Sequence, residues 1–448
     1  MSKSFVYGFV VIFGGLLFPF RTSFSAMNFQ LILLPLTFVY LYSIRLFFLT
    51  DSDKKTESKS LISSVHPERM LLVSILVLVL MGTCMLVIET RMFSQFGYVL
   101  SISHLAVVLI GSFTVSAFLF LYRKSQFLPW AILISLALIY LYSIQFFPLH
   151  PARSDMLLLI KAASERFLQG SNPYIEYTIF HPVMLTYLPG MWLSYVPAAI
   201  LGIDLRYVNL ILLLVSAGIF LRGTSKRFRL QQSVFAAIFF LNPWLIFRHE
   251  IYLPVFIFQM VLIYQLYVSR KTVPSMIVFA WTLASYQFSW VLFPLYLALV
   301  GRQYGKRTTL KALCIGATGF SLFLVPFLVI SPEGFFQGVF GTWKSVFQVE
   351  TFNLSYWIII ISSISYIKLI QVLFLLVFYV LTLKRVVTPA KLFKYATWCT
   401  VLFILTGQLI WHYFLIMPAI HMLYYVKVDN WGAKSKTVNN TEIYQFTR

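Results

Sequence analysis

Hydrophobic residues in this chain fall in long unbroken runs, without the alternation of half-buried strands or the single stripe of soluble helices. They cover residues 4–20, 28–49, 70–88, 97–122 and 127–147 in the first third of the chain. Further runs occupy 183–201, 207–221, 231–247, 251–268, 276–300, 312–330, 353–383, 395–411 and 414–426. Apolar runs of about 20 residues match the hydrocarbon thickness of a bilayer. A backbone facing lipid must also satisfy its own hydrogen bonds, which favours helices over open strands. The expected architecture is therefore all-α, a polytopic transmembrane helical bundle of about 13–15 helices. Ser4–Phe20 has a basic start but Pro19-Phe20-Arg21 where a small-residue cleavage site would stand, so it is expected to be a retained first helix.

The polar connectors orient the bundle. Residues 50–69 hold Lys54, Lys55, Lys59 and Arg69, and residues 123–124 are Arg-Lys, whereas 21–27 and 89–96 are nearly free of basic residues. With a cytoplasmic amino terminus the basic loops all face inward, the fifth helix exits, and 148–182 becomes an external loop. This divides the chain into a four-helix amino-terminal extension (1–126), a core (127–426) and a cytoplasmic tail (427–448). Placing the basic connectors 222–229, 301–311 and 384–394 inside as well leaves 183–221, 276–300 and 353–383 unable all to be simple crossings. Pro189-Gly190 and Pro197, Ser285-Tyr286-Gln287, and Lys368 interrupt these runs. Broken or half-depth helices lining a protein-walled cavity are the expected solution.

Composition agrees with the pattern. Of 448 residues 60% are hydrophobic and 11% charged, against roughly a quarter charged in a globular domain. The net charge of +21 is read as basic cytoplasmic loops, and no nucleic-acid partner is expected. Cys84, Cys314 and Cys399 each lie in an apolar run, where a thiol acts as a small hydrophobe.

The external loop carries the candidate chemistry. Met156, Ile160, Ala163 and Phe167 repeat at helical spacing, Lys161 and Glu165 share the opposite face, Ser154 can cap the start, and Gly170 followed by Pro173 ends the segment. Such a helix is expected to lie on the membrane surface, with Asp155 in its first turn just beyond the exit of the fifth helix. One reading has Asp155 complement the helix dipole, worth about 0.3–1 kcal/mol. The other has a carboxylate at a dry boundary act as general base toward an attacking alcohol. Of the 14 acids, the external set reduces to Glu89, Asp155, Glu165, Glu176, Glu250, Glu333 and Glu350, with Asp204 unplaced.

Asp155 is followed after about fifteen residues by Gly170-Ser-Asn172-Pro-Tyr174, then by Tyr187-Leu-Pro-Gly190 and Gly202-Ile-Asp-Leu-Arg206. Farther on come Asn242-Pro-Trp with Arg248-His-Glu250, Tyr286-Gln-Phe-Ser-Trp290, and Pro326-Phe with Ser331-Pro-Glu-Gly-Phe335. Over roughly residues 128–426 this order resembles the GT-C superfamily of polytopic membrane glycosyltransferases. The resemblance implies that Asp155 is the catalytic base, that the sugar arrives on a polyprenyl-phosphate carrier, and that transfer takes place on the outer or lumenal face. The chain departs from many relatives in the four helices ahead of this loop and in having Met156 where several carry a second acid.

Arg248, His249 and Glu250, at an expected external turn, are candidates to neutralise the carrier phosphate and to orient a sugar hydroxyl, because Arg makes paired bonds to phosphate oxygens. A short solvated turn is the plainer alternative. His412, at the outer end of a helix, is a further phosphate donor candidate. Arg153, Asn172, Tyr174 and Tyr187 complete the expected substrate-binding set. Lys344 and Glu350 fit an interfacial aromatic belt, and Asp204 with Arg206 fits a structural pair at a helix end. His150 and His181 bracket the loop without the partners of a metal site, so no protein-bound metal and no cofactor is expected. Without a phosphate-binding Gly-rich loop, a lipid-phosphate donor is favoured over a nucleotide sugar. The expected function is an inverting glycosyltransferase of a bacterial plasma membrane, with its site facing outward and a glycan, lipid or protein acceptor. The rivals are a transporter or flippase of a lipid-linked solute, and a lipid-diphosphate-dependent oligosaccharide polymerase or ligase.

Overall fold

The computed structural model describes residues 127–151, 154–179, 182–222, 229–341, 367–407 and 416–435. The extension expected over 1–126 lies outside them, as do Arg153, His181, Lys344, Glu350 and His412.

The described residues are mostly helical. In chain order they begin with α1 (Leu128–Phe146), α2 (Met156–Leu168), a two-stranded antiparallel sheet of β1 (Glu176–Thr178) and β2 (Pro182–Met184), and the short helices α3 (Pro189–Trp192) and α4 (Val196–Ile200). They continue with α5 (Arg206–Leu221), α6 (Arg229–Phe240), α7 (Pro243–Phe247), α8 (Leu253–Val268), α9 (Thr272–Leu283) and α10 (Phe293–Ile330). The last are α11 (Pro332–Phe336), α12 (Ile367–Thr382), α13 (Pro389–Leu405) and α14 (Ile416–Ser435). Three segments are long and apolar enough to cross a membrane: α1, the continuous stretch Gln287–Ile330, and Ile367–Arg385. The sheet, with Tyr177 opposite Val183, is an addition to the all-α expectation and closes the end of the loop expected to be external, over residues 176–184.

The chain divides into two compact units. The described part of the first comprises α1, α6, α7, α14 and the last residues of α5. Here α1 packs on α6 and α7, and the Ser143 hydroxyl donates to the Ile246 carbonyl at 3.2 Å. Phe220 at the end of α5 meets the Tyr424 ring edge-on at 5.5 Å. Lys427 is buried and donates from Nζ to the Phe220 carbonyl at 2.6 Å, capping an orphan carbonyl of that helix end. The last helix therefore continues past residue 426, where the sequence pattern places the start of a loose tail.

The second unit holds residues 147–219 and 249–411. Its α8 and α9 form an antiparallel pair joined by a tight turn in which Arg270 takes a left-handed φ of 60°. At Gly305 the backbone of α10 leaves helical geometry, with φ 82° and ψ 175°. A Cβ added to Gly301 would stand 2.9 Å from the Thr309 hydroxyl, although eight residues of straight helix span about 12 Å. Gly316 lies against the Phe293 ring, and Trp290 meets Phe320 at 6.0 Å. These pairs sit at equal or nearly equal distances in sequence on either side of Gly305, so the chain reverses there. The α10 segment is a closed helical hairpin with a basic apex, and the apolar runs 276–300 and 312–330 contribute one arm each.

The breaks foreseen at Pro189-Gly190 and at Ser285-Tyr286-Gln287 are present, whereas Lys368 lies in the first turn of the unbroken α12 and the residues before Ile367 are outside those described. Residues 189–200 form two short helices bridged by the 3-10 turn Leu193–Tyr195, and α9 stops at Leu283 before the 3-10 turn Gln287–Val291. The two breaks touch. The Gly190 amide donates to the Ala284 carbonyl at 2.8 Å, and the Trp281 indole donates to the Gly190 carbonyl at 2.9 Å. A Cβ on Gly190 would stand 2.8 Å from the Ala284 oxygen, so the close approach requires glycine.

Candidate functional site

The external loop builds from α2. Leu157, Leu159, Ile160 and Ala163 are buried, whereas Lys161 and Glu165 pair at 3.8 Å on the exposed face. Phe167, at the edge of the stripe, packs edge-on against Trp192 at 5.3 Å. The Ser154 hydroxyl accepts from the Met156 amide at 3.2 Å, and Gly170, with φ 72°, lets the chain turn back onto the last carbonyls of the helix. Asp155 occupies the residue ahead of the first helical turn and is partly buried.

Asn172 and Tyr174 are engaged by the fold itself. The Asn172 side chain accepts from the Tyr174 amide at 2.9 Å and donates to the Tyr174 carbonyl at 3.3 Å, closing a local turn. Tyr174 is buried, donates to the Tyr187 carbonyl at 2.9 Å and accepts from the Trp192 indole at 3.3 Å. A Cβ on Gly334 would collide with the Tyr174 carbonyl, and one on Gly338 with that of Leu185. The loop is thus clamped against the segment after α10. The Gly-x-Asn-Pro-Tyr turn builds the loop, with Asn172 and Tyr174 both bonded within the fold.

Tyr187 is different. Its ring meets Tyr252 at 4.9 Å, and Tyr252 meets Tyr286 at 5.5 Å. The Tyr286 hydroxyl donates to the Tyr252 carbonyl at 2.7 Å. Burial, and after it the Tyr252 and Asp155 charges, push the Tyr187 phenol well above its ordinary pKa. Tyr187 therefore stays protonated as a hydrogen-bond donor, within electrostatic reach of the Asp155 carboxylate.

His249 and Glu250 lead into Tyr252 and are buried, with 0% and 1% exposure. His249 Nδ1 stands 3.4 Å from Glu250 Oε2, and the imidazole faces the Phe147 ring at 6.4 Å. The two side chains are therefore not solvated, and ionisable groups inside an apolar chain are expensive to bury. Arg248 is partly exposed and belongs to the other unit.

The first turns of α5 hold this segment in place. Asn209 is fully buried; its amide donates to the His249 carbonyl at 2.8 Å and to the Ile251 carbonyl at 2.9 Å, and its oxygen accepts from the Tyr195 hydroxyl at 2.6 Å. One turn earlier, Arg206 forks onto Asp204 with its Nε 2.9 Å from Oδ2 and donates from Nη1 to the Phe147 carbonyl at 2.6 Å. Burial alone would raise the Asp204 pKa, but the hydrogen bonds and charge of Arg206 outweigh it and hold the carboxyl below its usual range. The pair expected between Asp204 and Arg206 is present and anchors the residue where the external loop begins.

Asp155, Tyr187, His249 and Glu250 thus lie in one unit, and the ring of Tyr252 links Tyr187 to the segment that follows Glu250, whereas nothing in the sequence pattern marks Tyr195, Asn209 or Tyr252 as parts of the same assembly. Among the described residues no group of His, Cys, Asp and Glu has the arrangement of a metal site. Comparisons with protein-family models, with curated proteins and with solved structures give no match for this chain.

Proposed function

We propose that the chain is an inverting membrane glycosyltransferase of GT-C type, with Asp155 as general base. Support comes chiefly from the one carboxylate that opens the amphipathic helix, whose charge acts on the neutral Tyr187 phenol and which shares a compact unit with the buried His249–Glu250 pair. In this reading the acceptor hydroxyl passes its proton to Asp155 as its oxygen forms a bond to the anomeric carbon. The bond from that carbon to the carrier phosphate breaks, and the lipid phosphate leaves with the electron pair. Tyr187 donates to an oxygen of the donor, and Glu250 orients a sugar hydroxyl. Orientation of two bound reactants supplies several kcal/mol, on the order of 7–11 at best, and base catalysis about 10²- to 10⁴-fold. The phosphate is an activated leaving group, so this chemistry requires no cofactor beyond the donor. The full bundle of about 13–15 helices, a bacterial plasma membrane and an outward-facing site belong to the same reading.

The test is incubation of purified protein in detergent with a radiolabelled polyprenyl-phosphate sugar and a membrane-glycan extract as acceptor. Transfer or release of the sugar is expected, and Asp155→Asn is expected to retain carrier binding while losing turnover by about 10²- to 10⁴-fold. Full turnover in that variant removes the base assignment. Movement of intact carrier across reconstituted vesicles, with no bond cleaved, replaces the enzyme with a transporter.

A further inference from the structure

We propose that the apex of the α10 hairpin, together with the α8–α9 turn, is a docking pad for anionic phospholipid headgroups. Arg302, Lys306 and Arg307 at the apex and Lys271 in the turn are all exposed. No Asp or Glu occurs between Glu250 and Glu333 to offset them. The two turns form one surface, since the Tyr267 hydroxyl contacts Gln303 Oε1 at 2.7 Å and its ring meets Tyr304 at 6.3 Å. The reversal at Gly305 holds Arg302 and Lys306 on adjacent ends of the two arms, so the charges are displayed on a fixed scaffold.

The neighbouring surface selects the class of partner. Directly along the same elements stand Val273 at 45% exposure, Ile277 at 57%, Leu310 at 62% and Leu313 at 45%. A ligand that fits both parts is anionic at one end and apolar at the other. With that apolar flank set in the bilayer, the anionic groups that lie level with the basic apex are the headgroups of the same lipids. The second arm of α10 runs about 37 Å from the apex and leads to Gly334, packed on Tyr174. The pad and the external loop therefore lie at opposite ends of one bilayer-length helix, and the lipid bound at the pad belongs to the leaflet opposite Asp155. This inference is independent of the glycosyltransferase reading.

Each cation close to an anionic leaflet strengthens attachment roughly fivefold. The experiment compares retention of phosphatidylglycerol and phosphatidylcholine by the full chain, purified from mixed vesicles of the two lipids and analysed by native mass spectrometry. The wild-type chain is expected to prefer phosphatidylglycerol. The triple variant Arg302→Gln, Lys306→Gln, Arg307→Gln is expected to lower that preference by up to about a hundredfold, whereas Arg302→Lys, Lys306→Arg, Arg307→Lys keeps it. Should the neutral triple variant fail to fold, the wild-type chain itself gives the answer, because raising salt from 0.05 to 0.5 M screens exposed charges and is expected to erode the preference. A preference unchanged by neutralisation, or one indifferent to salt in the wild-type chain, overturns the proposal.

Discussion

Replacing Asn209 with Leu, which is similar in size, removes a buried side chain that serves three groups at once. It leaves the carbonyls of His249 and Ile251 and the hydroxyl of Tyr195 without the bonds now seen at 2.8, 2.9 and 2.6 Å. A buried polar group stripped of its partner costs about 1–3 kcal/mol. Even at the lower figure for each, the substitution is expected to destabilise the protein by about 3 kcal/mol. Asn209→Asp keeps the acceptor for Tyr195 but turns an oxygen toward the two carbonyls, and it is expected to be no more stable than the Leu variant. Tyr195→Phe removes one bond and is expected to cost about 1 kcal/mol. Chemical unfolding of purified protein in micelles measures all three. In a double-mutant cycle Tyr195→Phe should add little on an Asn209→Leu background, because the shared bond is already gone. An Asn209→Leu variant as stable as wild type, or strict additivity of the pair, would show that the α5 turn does not hold the His249–Glu250 segment.

Gly190→Ala brings a methyl group against the Ala284 carbonyl and is expected to cost about 1–3 kcal/mol through overpacking, seen as a lower unfolding midpoint; an unchanged midpoint would mean that the two breaks slide freely. Gly305→Ala is expected to cost about 1–3 kcal/mol because φ 82° with ψ 175° is glycine territory, read by the same unfolding assay, with an unchanged stability as the contrary outcome. The carboxyl of Asp204 titrates lower in the folded chain than its unfolded value of about 3.9. Its ion pair with Arg206 therefore contributes stability at neutral pH that is lost as pH falls through the folded pKa. The stability difference between wild type and Asp204→Asn should accordingly be larger at pH 7 than at pH 3, and a difference that grows on acidification contradicts the pairing.

Much of the external loop is legible in the sequence because its signals are local. The spacing of Ile160 and Ala163, the opposed Lys161 and Glu165, and Gly170 each act within a turn or two. Asp204 and Arg206 are similarly readable as opposite charges at a helix start. Asn209 was hidden because a single amide in the apolar run 207–221 barely changes its hydropathy, while its meaning rests on backbone 40 residues away. The hairpin at Gly305 was half legible. The two apolar arms and the basic connector were evident, but Arg and Lys are good helix formers, and the connector stays helical on both sides of the glycine. Lys427 misled in the same manner, since a charge read as the start of a solvated tail is buried on the end of another helix. In the candidate site, Tyr187 and Glu250 are each recognisable as polar groups at the ends of apolar runs, but their link through Tyr252 depends on ring contact between distant segments, which no local pattern encodes.

The closed reversal at Gly305 also governs how this part of the chain is made. The α-helical part of the first arm, Phe293 to Tyr304, reaches only about 18 Å against the ~30 Å of hydrocarbon, and only the 3-10 turn Gln287–Val291 extends it. A nascent segment of that kind is a poor crossing by itself as it leaves the translocon. It has to wait for its longer partner to emerge from the ribosome, and the two then move sideways into lipid together as a preformed pair.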